Sequence, residues 1–227
     1  MGQYYNIITA EKDYGNIGII DDKRTKMFET GNYFEETFGA KITEHSWFGN
    51  HLTSGISNLL YKTPKRIIWC GDYAEDDELK NLIPGISMSD VFSDSNKYKR
   101  YLWDNIELFD HRNKWLVNYS KREQVSFNDY MNESNYGDVW YDKTPMIMYP
   151  VSLLTALGNG RGGGDYHEGG TCFDKVGTWA GDMIGIEDEK QSTCKVLDLY
   201  FVETYGQKVF EEKFKYNRYE LKQKKAA

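Results

Sequence analysis

The chain has 227 residues, enough for one substantial core, and its 40% hydrophobic and 28% charged residues are the balance of a soluble globular protein. A formal net charge of −7 argues against general binding to a nucleic-acid backbone. No apolar run is long enough to span a membrane, the opening MGQYYNIIT lacks the regions of a signal peptide, and Cys70, Cys172 and Cys194 are widely spaced, so a cytoplasmic protein with reduced thiols and no membrane partner is expected.

Gln3 to Ala10 is rich in β-formers and reads as a first strand, with Tyr14 to Ile20 returning as its hairpin partner. Residues 21–38 read as loop, and Lys41 to Phe48 as a strand end that delivers Glu44, His45, Ser46 and Trp47. The stretch after Asn50 carries Leu52, Ile56, Leu59 and Leu60 at helical spacing until Thr63-Pro64 stops it. Arg66 to Tyr73 is a short buried strand, and Asp76 to Leu82 a helix with acids in its first turn. Ser87 to Arg100 reads as loop, Trp115 to Tyr119 and Glu123 to Phe127 as a hairpin, and Asn128 to Thr144 as a surface excursion. Val151 to Leu157 suggests a short helix with Gly158 at its C-terminal cap, the strand VGTWAGDMIGIED follows at 176–188, and Val196 to Thr204 closes the sheet before a charged, frayed helical tail. The sum is a single α+β domain over residues 1–227, a largely antiparallel sheet with hairpins and a few short helices.

The chain is organised around the stretch from Tyr149 to Glu189. Gly158, Gly160, Gly162, Gly163, Gly164, Gly169 and Gly170 give it freedom at positive φ and let other groups approach the backbone closely. Arg161 sits among them with a planar fork suited to phosphate or carboxylate. Gly158, Gly160 and Gly163 satisfy G-x-G-x-x-G in letters, but the dinucleotide fingerprint needs a strand before and a helix after, and the Walker pattern needs a Gly-Lys-Ser/Thr that is absent. A ligand loop and a plain solvent loop both fit these residues. Trp69 to Asp72 and Trp179 to Asp182 repeat a Trp-(small)-Gly-Asp pattern 110 positions apart, and each follows a helix-like segment. Two pseudo-related halves are one arrangement this allows, coincidence another.

At these residues the chain resembles a family of uncharacterised proteins of bacteria and their phages. Members open Gly-Gln-Tyr-Tyr, here Gly2 to Tyr5, and run a Leu-rich segment into GNGRGGGD, here Gly158 to Asp165. They share a GSWAGD-like strand, here Gly177 to Asp182, and a Gly-Asp-Tyr-Ala element, here Gly71 to Ala74. In many members that last element follows the WAGD-like strand directly, whereas here it lies far upstream. The resemblance implies a phage-type accessory protein and brings no activity with it.

The leading expectation is a binder of a small anionic, nucleotide-like ligand, in a phage one that sequesters a defence signal nucleotide. Arg161 and the amides of Gly160, Gly162, Gly163 and Gly164 would hold phosphate, with Asp165 beside them and Tyr166 or His167 against base or sugar. One alternative is an acidic inhibitor of a host protein, using the tyrosines and tryptophans of segment 98–149. Another is a phosphodiesterase-type enzyme with His167 as its catalytic group, since phosphoryl chemistry needs positioned charge and oriented donors more than a strong nucleophile. His45, between Glu44 and Ser46, is a weaker base candidate because neighbours on a strand face opposite ways. Asp72, Asp165 and Asp182 could gather a hard cation, but an Asp after Gly at a strand end is commonly a turn residue. Cys172, Cys194 and His167 lack zinc spacing, so neither metal nor cofactor is expected.

Overall fold

The computed structural model describes residues 3–11, 17–20, 41–49, 51–92, 99–100, 107–132, 147–160, 162, 165–166 and 173–199, with backbone alone for 17–20, 44–45, 99–100, 132 and 173. The described strands are β1 (Tyr5–Ala10), β2 (Ile17–Ile20), β3 (Lys65–Gly71), β4 (Lys99–Arg100), β5 (Trp115–Asn118), β6 (Glu123–Ser126), β7 (Ala156–Leu157), β8 (Met183–Glu187) and β9 (Lys195–Val196). The helices are α1 (Ile42–His45), α2 (His51–Leu60), α3 (Asp76–Leu82), α4 (Met88–Phe92), α5 (Phe127–Asn132) and α6 (Pro150–Thr155). The strands make one sheet in the order β4-β2-β1-β3-β8-β5-β6-β9, with β7 attached to β3. All pairings of four or more residues are antiparallel, as is the two-residue pairing of β3 with β8, and the parallel contacts are two-residue additions at β4, β7 and β9. The α+β, largely antiparallel architecture is therefore present.

β1 and β3 lie in the middle and are buried on both faces. Because side chains alternate along a strand, Tyr5, Ile7, Ile67 and Trp69 point to one side, where α2 and α6 contribute Leu52, Ile56, Leu60, Leu153 and Leu154. Ile8, Ala10, Ile68 and Cys70 point to the other, under Leu79, Ile83 and Val91 from the α3–α4 region. The core is thus a sheet between two unequal helical layers, the larger built around Trp69 and Trp179.

Several expected elements form as read, and α2 stops at Leu60 because Lys62 turns left-handed at φ 55° just before Pro64. Others differ, each for a local reason. Lys41 to Phe48 is a helical turn with Ile42 and Ser46 buried, and only Trp47 bridges, to Met148. Within the expected 87–100 loop stands α4, opened by a reciprocal cap in which the Ser87 amide donates to Asp90 Oδ2 at 3.0 Å and the Asp90 amide to Ser87 Oγ at 3.3 Å. The expected surface excursion begins as α5, with the Asp129 amide on Ser126 Oγ and Phe127 and Tyr130 in the core. After α6 the chain enters β7 rather than a capped helix end, and the expected strand at 196–204 is represented among the described residues by β9 alone.

The largest difference is at 176–182, which is turn and not strand. Gly177 and Gly181 take φ of 73° and 77°, a conformation no continuous strand accommodates. The turn's amides satisfy backbone oxygens that α6 and β3 leave open: Gly177 N–H donates to Leu153 O, Trp179 N–H to Leu154 O and Gly181 N–H to Ile67 O, at 2.7–2.9 Å. Trp69 to Gly71 is strand and Trp179 to Asp182 is turn, so the shared four-letter pattern is not a structural repeat.

A built Cβ on Gly177 would sit 2.3 Å from Ala156 O, whereas one on Gly160, at φ 87°, meets nothing within 4 Å. Urea unfolding should show Gly160→Ala costing about 1–2 kcal/mol and Gly177→Ala costing at least ~3 kcal/mol, because backbone overlap adds to the left-handed penalty. Equal costs would contradict the close approach assigned to Gly177.

Candidate functional site

The glycine loop leaves the sheet where the chain's first residues and the end of β3 also meet. Tyr5 pairs with Gly71 in the β1–β3 register, and one step beyond it the Asp72 amide donates to Tyr4 O at 2.8 Å while the Tyr4 amide donates to Asp72 Oδ1 at 3.1 Å. Gly71 is bare because Gln3 and Tyr5 occupy its side-chain space: a Cβ there would lie 2.0 Å from Gln3 Nε2 and 2.9 Å from Tyr5 Cε1. β7 runs parallel to β3 through Trp69↔Ala156 and Cys70↔Leu157, so the chain reaches Gly158 at the same sheet end as Gly71. Gly158, at φ 78°, packs backbone to backbone on Ala74, whose N would be 2.8 Å from a Cβ.

The base of the loop is then fixed by side chains. Gln3 Nε2 donates to Gly158 O at 2.8 Å. Asn159 clamps the far end, its Nδ2 donating to Tyr166 O at 2.7 Å and its Oδ1 accepting from the Tyr166 amide at 2.8 Å. Asp165 Oδ1 accepts from the Tyr5 hydroxyl at 2.9 Å and Oδ2 from the Gly162 amide at 2.8 Å. Gly162 lies on Gln3, with Tyr73 Cε2 3.1 Å from where its Cβ would be. Burial, with Asp165 beside it, raises the Tyr5 hydroxyl far above the ordinary phenol range, so it is a donor at every working pH. Burial also raises the Asp72 carboxyl, against the lowering effect of the Tyr4 and Asp72 amides, with Asp165 adding to the rise.

Gln3 to Tyr5, Gly71 to Ala74 and the described residues of the glycine loop, Gly158 to Gly160, Gly162 and Asp165, therefore form one junction, although up to 160 positions separate their bonded residues. Of the residues expected to bind ligand, Gly160 is exposed, at φ 87°. The Gly162 amide is engaged by Asp165 instead of being open, and Asp165 and Tyr166 are fully buried. Tyr166 lends its hydroxyl to Ser152 Oγ at 2.8 Å and presents no face to stack on a base. Arg161, Gly163, Gly164 and His167 lie outside the described residues, as do the side chains of Glu44 and His45.

Other candidates are placed elsewhere. Asp182 accepts from Asn118 Nδ2 at 2.8 Å and pairs with Lys121 at 3.3 Å, apart from Asp72 and Asp165. Among the described residues no group of three or more His, Cys, Asp and Glu is arranged to hold a metal ion, and Cys172 and His167 of the zinc alternative are not among them. Trp69 and Trp179 are core residues. In the aromatic segment considered for a protein partner, Tyr130 and Tyr149 are core as well, Tyr119 is partly exposed on Glu187, and Tyr98, Tyr101, Trp103, Tyr136, Trp140 and Tyr141 lie outside the described residues.

One polar group had no expectation attached to it. Ser57 Oγ lies 2.7 Å from His111 Nε2 and 2.6 Å from the Tyr149 hydroxyl, inside an aromatic box of Phe48, Phe109, Phe127 and Tyr149. Burial lowers His111 to about 4, outweighing the raising effects of Asp110 and the Phe109 backbone. Ser57 Oγ also lies 2.8 Å from Thr53 O, and with one hydroxyl proton to give, its bond to the imidazole takes its direction from the ring's tautomer. His111 is 6% exposed and Ser57 fully buried, which makes this a closed core network and not a nucleophile facing substrate. Nothing in the irregular stretch around Asp110-His111-Arg112 announces it.

No protein-family model matches the chain, and no curated protein and no solved structure matches it either.

Two outcomes follow from these contacts. Tyr5→Phe removes the donor to a fully buried carboxyl group and should cost about 1–3 kcal/mol in denaturant unfolding, with faster amide exchange at Gly162. For His111, the unfolded ring titrates near 6.5 and the folded one at about 4, so protons favour the unfolded state as pH falls between these values. Stability should drop by roughly 2 kcal/mol from pH 7.5 to 5 through this group, and His111→Gln should remove that part of the slope. An unchanged slope would show that His111 charges as freely folded as unfolded.

Proposed function

We propose that the protein binds a small anionic, nucleotide-like ligand at the tip of the glycine loop, with Arg161 and loop amides as the phosphate-facing groups. The observation that carries this reading is the pinned base of the loop. Five side-chain hydrogen bonds from Gln3, Tyr5, Asn159 and Asp165 fix the ends of a stretch whose middle is nearly all glycine. A loop that served only as a connector would have no need of such anchoring, and glycine makes it entropically costly to order. Fixing its ends in advance lowers the cost of ordering the tip on a ligand. Gly160 is exposed at φ 87° with open space around it, which suits close approach of a ligand to the backbone. Asp165 and Tyr166 take supporting roles in this reading, one holding the Gly162 amide and the other anchoring on Ser152. Tyr73 is a partly exposed ring beside Gly162, where a base could lie. In the setting that the resemblance implies, such a protein sequesters a signal nucleotide in the service of a phage.

Thermal unfolding with a panel of mono-, di- and cyclic nucleotides tests this, run with and without divalent cation. A true ligand at a hundred times its Kd should add about 2.7 kcal/mol of stability. Arg161→Ala should abolish the response without changing the unliganded melting temperature, and Tyr73→Ala should weaken it. No response anywhere in the panel would remove the proposal.

A further inference from the structure

The base of the glycine loop carries a piece of covalent chemistry that ligand binding does not use. Of the chain's asparagines only Asn159 precedes a glycine. In such a pair the glycine nitrogen is held by the chain itself within reach of the asparagine side-chain carbon, and the missing Cβ leaves that nitrogen unshielded. Here both halves of the pair are presented for reaction. Gly160 is exposed at φ 87°, and nothing lies within 4 Å of where its Cβ would be. Among the described residues its amide has no acceptor. Hydroxide from solvent can therefore take the Gly160 N–H proton.

Asn159 supplies the electrophile. Its side chain is half-buried and meets the Tyr166 backbone at both ends of the carboxamide. Tyr166 offers it one donor and one acceptor, so the orientation is fixed: Oδ1 accepts from the Tyr166 amide at 2.8 Å and Nδ2 donates to Tyr166 O at 2.7 Å. Attack at Cγ would push negative charge onto Oδ1, and the Tyr166 N–H already points at that atom. A backbone donor placed in advance on an oxygen that gains charge is how an oxyanion is stabilised.

We infer that Asn159–Gly160 is a self-modification site of the folded protein, and that its conversion to isoaspartate or aspartate undoes the clamp between Asn159 and Tyr166. The deprotonated Gly160 nitrogen bonds to Asn159 Cγ. The Cγ–Nδ2 bond breaks, and that nitrogen leaves as ammonia with a proton taken from water. Water then opens the resulting succinimide at either carbonyl. Opening at the former side-chain carbonyl gives aspartate; opening at the main-chain carbonyl gives isoaspartate, in which Cγ has joined the main chain. The sum is hydrolysis of one amide, with no change of oxidation state and solvent as the only co-reactant. Neither product keeps the Nδ2 donor, so the buried Tyr166 backbone loses its bond from Asn159. The clamp closes the segment that also carries Gly162 and Asp165, and losing it loosens the loop on the side away from Gln3. The reaction needs no ligand and stands apart from the proposed binding.

The test incubates the full chain, folded and without nucleotide, at mildly alkaline pH and follows each asparagine by peptide mass spectrometry. The mass gain of an amide becoming an acid should appear first at Asn159, with isoaspartate among the products and a rate that rises with hydroxide. The exposed Asn113 and half-buried Asn128, followed by Lys114 and Asp129, are the internal comparators. Converted protein, separated on its added negative charge, should show amide exchange at Gly162 and Tyr166 at least about tenfold faster. Gly160→Ala should slow the conversion, because a Cβ shields the attacking nitrogen. The unaltered chain decides the matter even if that variant fails to fold. Asn159 that stays an amide while the protein is folded, or converts no faster than Asn113 and Asn128, overturns the inference. So does converted protein whose Gly162 and Tyr166 amides exchange as slowly as before.

Discussion

Asp165 is a carboxyl group removed entirely from water, and the glycine loop is arranged around satisfying it. A buried group of this kind must find donors or unfold its surroundings. It finds them in the Tyr5 hydroxyl, on the first strand of the sheet, and in the Gly162 amide three residues back in its own loop. The first contact ties the loop to the core; the second bends it. Everything else at the junction follows from bringing these groups together. Gly71 must be bare to admit Gln3 and Tyr5, Gly158 must be bare to lie on Ala74, and Gly162 must be bare to lie on Gln3.

The sheet supplies the rigid part. β1 and β3 are buried on both faces, so their ends are among the least mobile places from which to hang a loop. β7 adds two residues beside β3, which delivers the glycine segment to the same end. On the other side of α6, the turn at 176–182 donates its amides to the helix's last carbonyls and to Ile67, locking α6 to β3. The Tyr166 hydroxyl reaches Ser152 within that helix, and Ser152 continues to Ser46 at 2.8 Å. Loop, helix and sheet thus share one chain of hydrogen bonds.

Much of the frame was legible in the sequence. The β-formers of Gln3 to Ala10, the buried run at Arg66 to Tyr73 and the helical spacing of Leu52, Ile56, Leu59 and Leu60 each stated an element. The misses came where local chemistry outweighed composition. Ser87 with Asp90, and Ser126 with Asp129, are cap pairs that announce α4 and α5, and a reading guided by polarity passes over them. Gly177 and Gly181 looked like small residues in a strand, yet their spacing suits a turn. The importance of the glycine loop was legible, but the role of its residues was not. Asp165 and Tyr166 look like ligand contacts in sequence because nothing there shows that Tyr5 and Ser152 lie against them. Gln3 stands in the sequence only as part of the opening Gly-Gln-Tyr-Tyr and of the first strand, and its packing role is hidden there because it depends on two glycines, one 68 and one 159 positions away (71 and 162).

The account holds that Gln3 to Tyr5, Gly71 to Ala74 and Gly158 to Tyr166 act as one physical unit, and native-state hydrogen exchange measures that directly. The amides of Tyr4, Asp72, Gly162 and Tyr166 all donate within this junction. They should exchange with a common opening free energy, above that of exposed turns, and should slow together when the ligand is added. Protection at Tyr4 and Asp72 alongside unprotected exchange at Gly162 and Tyr166 would show a sheet end with a loose loop beside it, and the account would be wrong.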